Sequence, residues 1–265
     1  MRDAHLPVVL VLAGHDPTGG AGLVADAETV QACGGWPITV PTSLTVQCTH
    51  DVLSVTPCAP DGIRDMAWAL LDEFDVAAIK VGLIADEASL DAIEDVVRAC
   101  PGIPLVVDPV LRAGGGKNLS TSELIDDFRH RLLPLVDILT PNRHELARLA
   151  GAGSDNDVDR VIALLSQGCQ AVLVTGTDDP PPEAPEDAVI HTLHTPETSR
   201  QWHWPRLSGQ YHGSGCTLAS AVATRLAVGE RLVTACEQAQ QFTWESLRHG
   251  WQPGSGQALP RRWRP

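Results

Sequence analysis

The sequence predicts one α/β domain built on a parallel, doubly wound sheet. Short apolar, β-branched runs of strand length recur at Val8–Leu12, Val76–Ile79, Leu105–Val107, Val136–Leu139 and Ala171–Val174. Helical stretches fall between them, and that rhythm of strand and crossover belongs to a parallel sheet covered on both faces. A third observation is that polar loops rich in glycine and aspartate follow almost every strand, which is where open α/β sheets bind ligands.

Taken in order, the run Val8–Leu12 opens the chain as a buried strand, and Ala21 onward reads as a helix. The spacing predicts a helix over Asp61–Phe74, because Ile63, Met66, Ala67, Leu70, Leu71 and Phe74 recur at three-four intervals with Asp61 placed as N-cap. Asp86 caps the next helix, whose Leu90, Ile93, Val96 and Val97 share a face before Pro101 and Gly102 stop it. Further strands are expected at Ala188–Thr192 and Gln201–Pro205. In the second of these, Trp202 and Trp204 at period two read as packing residues. The acidic, proline-rich Asp178–Asp187 between strands reads as a surface loop. Two helices close the pattern, Thr217–Val228 before Gly229 and Arg231–His249 before Gly250. No repeat or linker divides residues 1–265, so one domain is expected, with its core over about 8–250 and a C-terminal tail at 251–265.

Composition excludes several classes of function. The 265 residues are 43% hydrophobic, enough for a large core and against a disordered chain. With 33 acidic residues against 19 basic the formal net charge is −14, so nucleic-acid or anionic-membrane binding is not expected. The seven cysteines, Cys33, Cys48, Cys58, Cys100, Cys169, Cys216 and Cys236, form no C-x-x-C pair and are odd in number, which suits a reducing cytoplasm. The start of the chain lacks the apolar stretch of a signal peptide, and no segment approaches membrane-spanning length.

The loop Gly14-His15-Asp16-Pro17-Thr18-Gly19-Gly20-Ala21-Gly22 fits neither a Walker A loop nor a dinucleotide fingerprint. It reads equally as a tight turn or as a close approach of backbone to ligand. Gly213-Ser214-Gly215-Cys216-Thr217 is more specific. Small residues there, opening an apolar helix, expose several backbone N–H groups to an anion, a reading preferred to a plain helix start. The same dipole is expected to favour the thiolate of Cys216. Asp108 and Glu145, each just past a strand, suit a Mg²⁺ shared with phosphate oxygens. Either alone is equally a turn residue or a first-turn helix acid. His15, His50, His144 and His212 occur in no metal-binding pattern and read as ordinary polar residues.

Together these segments resemble the bacterial hydroxymethylpyrimidine/phosphomethylpyrimidine kinases of thiamine biosynthesis. Gly14 to Asp26 is similar to their N-terminal signature and Thr45-Val46-Gln47 to their pyrimidine-recognition segment. Lys80-Val81-Gly82-Leu83, Asp108-Pro109-Val110, Thr140-Pro141-Asn142 with Glu145, and Gly213 to Leu218 follow in the family's order, over about residues 8–250. The resemblance implies a ribokinase-like three-layer fold, ATP and Mg²⁺ as cofactors, a small pyrimidine substrate and a homodimer. By position it implies that Gln47 binds the aminopyrimidine with Asp26, Gly14 and Val110 around it. Asn142, Glu145 and Thr175 would contact ATP, and Asp108 and Glu145 the metal. Gly213, Ser214 and Gly215 would form the anion hole, with Cys216 at the position of the catalytic base. One departure stands out. After Ala171–Val174 many members carry Lys-Gly-Gly-His, whereas this chain has Thr175-Gly176-Thr177-Asp178, and Arg112 is a candidate replacement cation. The rivals are a pyridoxal-type vitamin kinase, a non-catalytic pyrimidine-binding protein on the same fold, and a cysteine hydrolase using Cys216 and His212.

Overall fold

A computed structural model describes residues 6–111, 119–151, 156–177, 180–181 and 184–263. Its centre is a nine-stranded sheet. In chain order the strands are β1 (Val8–His15), β2 (Trp36–Gln47), β3 (Val52–Pro57), β4 (Val76–Val81), β5 (Leu105–Val107), β6 (Ile138–Leu139), β7 (Val172–Thr175), β8 (Ala188–His194) and β9 (Ser199–Pro205). They lie in the order β3-β2-β1-β4-β5-β6-β7-β8-β9. From β2 to β7 every pairing is parallel, and antiparallel strands close both edges. The expected parallel sheet is therefore the middle of a mixed one.

The helices are α1 (Gly22–Ala32), α2 (Pro60–Leu71), α3 (Glu87–Arg98), α4 (Ser122–Asp127), α5 (Arg143–Ala150), α6 (Asp157–Ser166), α7 (Ser214–Ala227) and α8 (Leu232–Arg248). Alternation along β1 divides the core. Leu10 and Leu12 pack with Ile63 of α2 and Leu90 and Ile93 of α3, whereas Val9 and Val11 pack with Val30 of α1, Val222 of α7 and Ala239 of α8. Three layers follow, helix–sheet–helix.

Several boundaries differ from expectation for identifiable reasons. Strand β2 lies outside the expected set because Pro37 and Pro41 interrupt its pattern; β3 covers only Ser43–Gln47, so both prolines sit where the strand has a single neighbour. Asp61 is not the cap of α2. Pro60 starts that helix with Ala59 before it, and Asp61 stands in the first turn without a capping bond. Asp86 does cap α3, accepting from Ser89 N at 2.8 Å. Helix α7 begins a turn earlier than expected, at Ser214, because Gly213 takes the left-handed conformation (φ 85°) that ends the preceding loop. Residues 251–263 are not a free tail. Trp251 and Leu259 exchange two backbone hydrogen bonds, and Arg262 is buried against the body of the domain. Among the described residues no helix is long and apolar enough to cross a membrane.

Candidate active site

A cavity of about 1010 Å³ opens along the carboxyl ends of the strands. It reaches from Thr45 and Gln47 on β2 and Val52 on β3 to Thr175 on β7, His191 on β8 and Trp204 on β9. Its floor is the meeting of the two glycine-rich loops, because β1 ends in one and α7 begins with the other.

The first loop is organised by Asp16, which is almost completely buried. Its carboxylate accepts from Thr18 N at 2.8 Å, Thr18 Oγ1 at 2.9 Å and Ala21 N at 2.8 Å, and pairs with His212 Nε2 at 2.8 Å. Burial alone would raise the Asp16 carboxyl, but the bonds from His212 and Thr18 outweigh it and hold it below the usual value. Gly22 is required by close approach: its φ is 59°, and a Cβ would strike the carbonyl oxygen of Gly14.

The second loop presents the start of α7. The N–H groups of Ser214, Gly215 and Cys216 meet no acceptor among the described residues, the ordinary condition of a helix start and the basis of an anion site. Thr217 N, one residue on, bonds Gly213 O at 3.0 Å. Behind these amides Lys80 is wholly buried at the end of β4, held by both oxygens of Asp26 at 2.9 and 2.8 Å. Ser220 Oγ adds a third bond to Asp26 at 2.7 Å. Burial would lower the Lys80 ammonium, yet Asp26, Cys216 and Asp108 together hold it above its ordinary value.

Asp108 is 5% exposed and stands beside Gly215. Burial, opposed by Lys80 and helped by Asp26, pushes its carboxyl up to about 6. Two residues on, Val110 has φ 21°, a region β-branched residues avoid, so the loop beyond β5 is strained where it faces the cavity. Glu145 fastens that loop: Oε1 accepts from Leu111 N at 3.1 Å, while Oε2 accepts from Asn142 N at 3.0 Å. Asn142 Oδ1 returns the bond, accepting from Glu145 N at 2.9 Å, which completes a capping box on α5. Thr175 joins the same corner through its N–H to Pro141 O at 2.9 Å.

With this geometry in view, comparison with known proteins identifies the lineage. A family model described as phosphomethylpyrimidine kinase matches residues 16–260. The chain belongs to that family. It is 32% identical over 255 residues to a hydroxymethylpyrimidine/phosphomethylpyrimidine kinase of Streptomyces coelicolor, covering 94% of this chain and 92% of that one. Among solved structures it is similar to the phosphomethylpyrimidine kinase of Clostridium difficile 630, with TM-score 0.76, 26% identity and coverage of 89% and 97%. It is also similar to the pyridoxal kinase of Staphylococcus aureus in complex with ADP, with TM-score 0.86, 25% identity and coverage of 97% and 93%. The fold is the ribokinase-like architecture of these vitamin kinases.

Most of the residues singled out by sequence share the cavity of this family member: Gly14, Gln47, Asp108, Val110, Asn142, Glu145, Thr175 and Gly213 to Cys216 all line it. Asp26 does not. It lies behind Lys80 with no exposed surface, so its contact with the pocket runs through that ammonium. The expected thiolate at Cys216 is also corrected. Burial, reinforced by Asp26 and Asp108, pushes the thiol up to about 12, against the pull of Lys80 and of the Gly22 backbone N–H. The hydrolase reading loses its nucleophile with that thiolate, and His212 commits Nε2 to Asp16. Arg112 lies outside the described residues. Arg206, at the end of β9, lines the cavity and donates to Thr177 O at 3.2 Å and Ala188 O at 3.3 Å. Lys80 carried a visible signal, a lone lysine inside an apolar strand, and Asp16 stood within the first glycine loop, but Arg206 and Arg262 carried none.

Proposed function

We propose that this chain transfers the γ-phosphoryl group of ATP to 4-amino-5-hydroxymethyl-2-methylpyrimidine and then to its monophosphate, in the cytoplasm. The observation that carries the reading is the joining of two features in one cavity: the unpaired amides of Ser214–Cys216 and the amide of Gln47. The Gln47 side chain has no hydrogen-bond partner among the described residues, and its donor and acceptor match a ring nitrogen beside an amino group. The hydroxymethyl oxygen attacks the γ-phosphorus as the bond to ADP breaks, and the transferring oxygens gain charge opposite the α7 amides. In the second step an already ionised phosphate oxygen attacks.

Such a transition state is loose, so positioning outweighs base catalysis and the hydroxyl proton leaves late, to an oxygen of the transferred phosphoryl group. Cys216, as a thiol, sits beneath the transferring group as a contact and not as a thiolate base. Asp108 suits Mg²⁺: its carboxylate is buried beside the anion hole, and a magnesium site needs only one or two carboxylates with phosphate oxygens completing the shell. Among the described residues no cage of three acidic, histidine or cysteine ligands exists. Glu145, each of whose oxygens accepts a backbone N–H, secures the loop from which Asp108 acts. When bound, the ion neutralises charge on the β- and γ-phosphates. Arg206, held by carbonyls and by no carboxylate among the described residues, serves the nucleotide phosphates on the wall that lacks a loop lysine.

The test is turnover of purified protein with Mg-ATP, following hydroxymethylpyrimidine and pyridoxal in parallel by chromatography. Mono- and then diphosphate of the pyrimidine is the expected result, with Gln47→Ala raising the pyrimidine KM roughly tenfold and leaving that of ATP unchanged. Pyridoxal phosphate as the main product would overturn the substrate assignment. Pyrimidine binding without turnover would make the chain a binding protein.

A further inference from the structure

Past α8 the chain turns back over the floor of the cavity. Gln257 N bonds Thr49 O at 2.8 Å, and Ala258 bonds both Gln210 O and His212 N at 2.9 Å. Arg261 N bonds Ser246 O at 2.8 Å. This strap carries the side chain of Arg262, 1% exposed, into the seam between the two glycine loops.

All three guanidinium nitrogens are engaged there. Nε donates to Thr217 Oγ1 at 2.8 Å, one terminal nitrogen to Gly19 O at 3.3 Å and to Glu28 at 3.2 Å, and the other to Gly20 O. Thr217 Oγ1 passes its own proton to Gly213 O at 2.8 Å. One guanidinium thus spans from the loop after β1 to the first turn of α7. The two loops touch at this point, since a Cβ on Gly213 would strike Gly20 O and approach Arg262.

A buried charge is costly, and a seam between loops could be filled by an apolar side chain at less expense. What an apolar side chain cannot do is hold two carbonyl oxygens away from an incoming phosphate while leaving positive charge behind the α7 amides. Glu28, the one carboxylate paired with Arg262 among the described residues, is 35% exposed and screens that charge only in part.

We propose that Arg262 is a positioning residue for phosphoryl transfer: acting through Gly19, Gly20 and Thr217, it sets the anion hole of Ser214–Cys216 against the glycine loop and backs it with fixed positive charge. The proposal rests on the kinase reading above. It is tested on the full chain with Arg262→Met and Arg262→Lys, each measured for kcat, both KM values and melting temperature. Amide hydrogen exchange over residues 19–22 and 213–217, with and without Mg-ADP, is followed alongside.

The expected result for Arg262→Met is a kcat lower by roughly 100-fold with the pyrimidine KM within about twofold, since a misplaced hole fails mainly in the transition state. Arg262→Lys keeps the charge but loses the fork, so its kcat remains down by roughly tenfold or more even in fully folded protein. In wild type Mg-ADP protects both loops together; in Arg262→Lys that joint protection is lost. A folded Arg262→Lys with kcat within about threefold of wild type and unchanged joint protection overturns the proposal, whether or not Arg262→Met folds. If wild type turns over neither vitamin, the kinase reading fails, and the exchange experiment still decides whether Arg262 couples the loops around a bound nucleotide.

Discussion

Along the seam between the β1 loop and helix α7, nearly every polar side chain is spent on another part of the chain. Along the β7–β9 wall of the same cavity the bonding is sparser. In the seam Asp16 takes four bonds, Arg262 gives four, and Lys80, Asp26 and Ser220 satisfy one another. On the far wall both ring nitrogens of His191 are buried with no hydrogen-bond partner among the described residues, and Arg206 is held by two carbonyl oxygens. Buried polar groups left unpaired are costly, so they mark where structure has been given up for something else. The seam is preorganised for chemistry that tolerates little displacement. The wall keeps donors and a cation available, as suits a surface that must take up and release a nucleotide.

The comparison breaks most sharply at Gly213. Gly213→Ala meets two penalties, a φ of 85° and a collision with Gly20 O, and is expected to cost at least roughly 100-fold in kcat by prising the loops apart. Gly229→Ala separates the causes. Its φ is 86°, yet nothing lies within 4 Å of a Cβ there, so it pays only the conformational cost, about 1 kcal/mol, with kcat unchanged. Measuring kcat and melting temperature for both decides whether contact between the loops, and not backbone strain, sustains activity. Equal losses of kcat in the two variants would refute it.

On the wall the expected effect is smaller and of another kind. Arg206→Ala removes a cation without disturbing the seam, so the KM for ATP should rise about tenfold while kcat and the pyrimidine KM stay within about twofold. A fall in kcat with the ATP KM unchanged would move Arg206 into the chemical step and erase the distinction between the two regions.

The same division explains what the sequence made legible. The strands of the parallel centre, the cap Asp86 and the loop opening α7 are local features, written in hydrophobic period and in glycine and aspartate a few residues apart. The seam is built from distant partners: Lys80 and Asp26 are 54 residues apart, His212 and Asp16 196, and Arg262 and Gly20 242. No local pattern announces such pairs. Cys216 shows the two scales in conflict, since the helix start that favours its thiolate is local while the burial and the carboxylates that oppose it come from elsewhere in the fold. Prolines hid β2 for a related reason, because which part of it lacks a second neighbour depends on where β3 ends.

The smallest expected effect concerns His191 and reads the wall without substrate. Burial pushes its imidazole from the ordinary 6.5 down to about 4. Between those values the unfolded chain binds a proton that the folded chain does not, so stability rises with pH and is lost as pH falls from 6.5 toward 4. The slope from one such group is at most about 1.4 kcal/mol per pH unit, or roughly 3 °C in melting temperature for a domain of this size. His191→Gln removes the titration, so the difference in melting temperature between variant and wild type should shift in the variant's favour as the pH is lowered from 7 to 5. A constant difference across that range would mean that His191 titrates in the folded chain as it does in the unfolded one, with a partner offsetting its burial, and the β7–β9 wall would then be as fully spent as the seam.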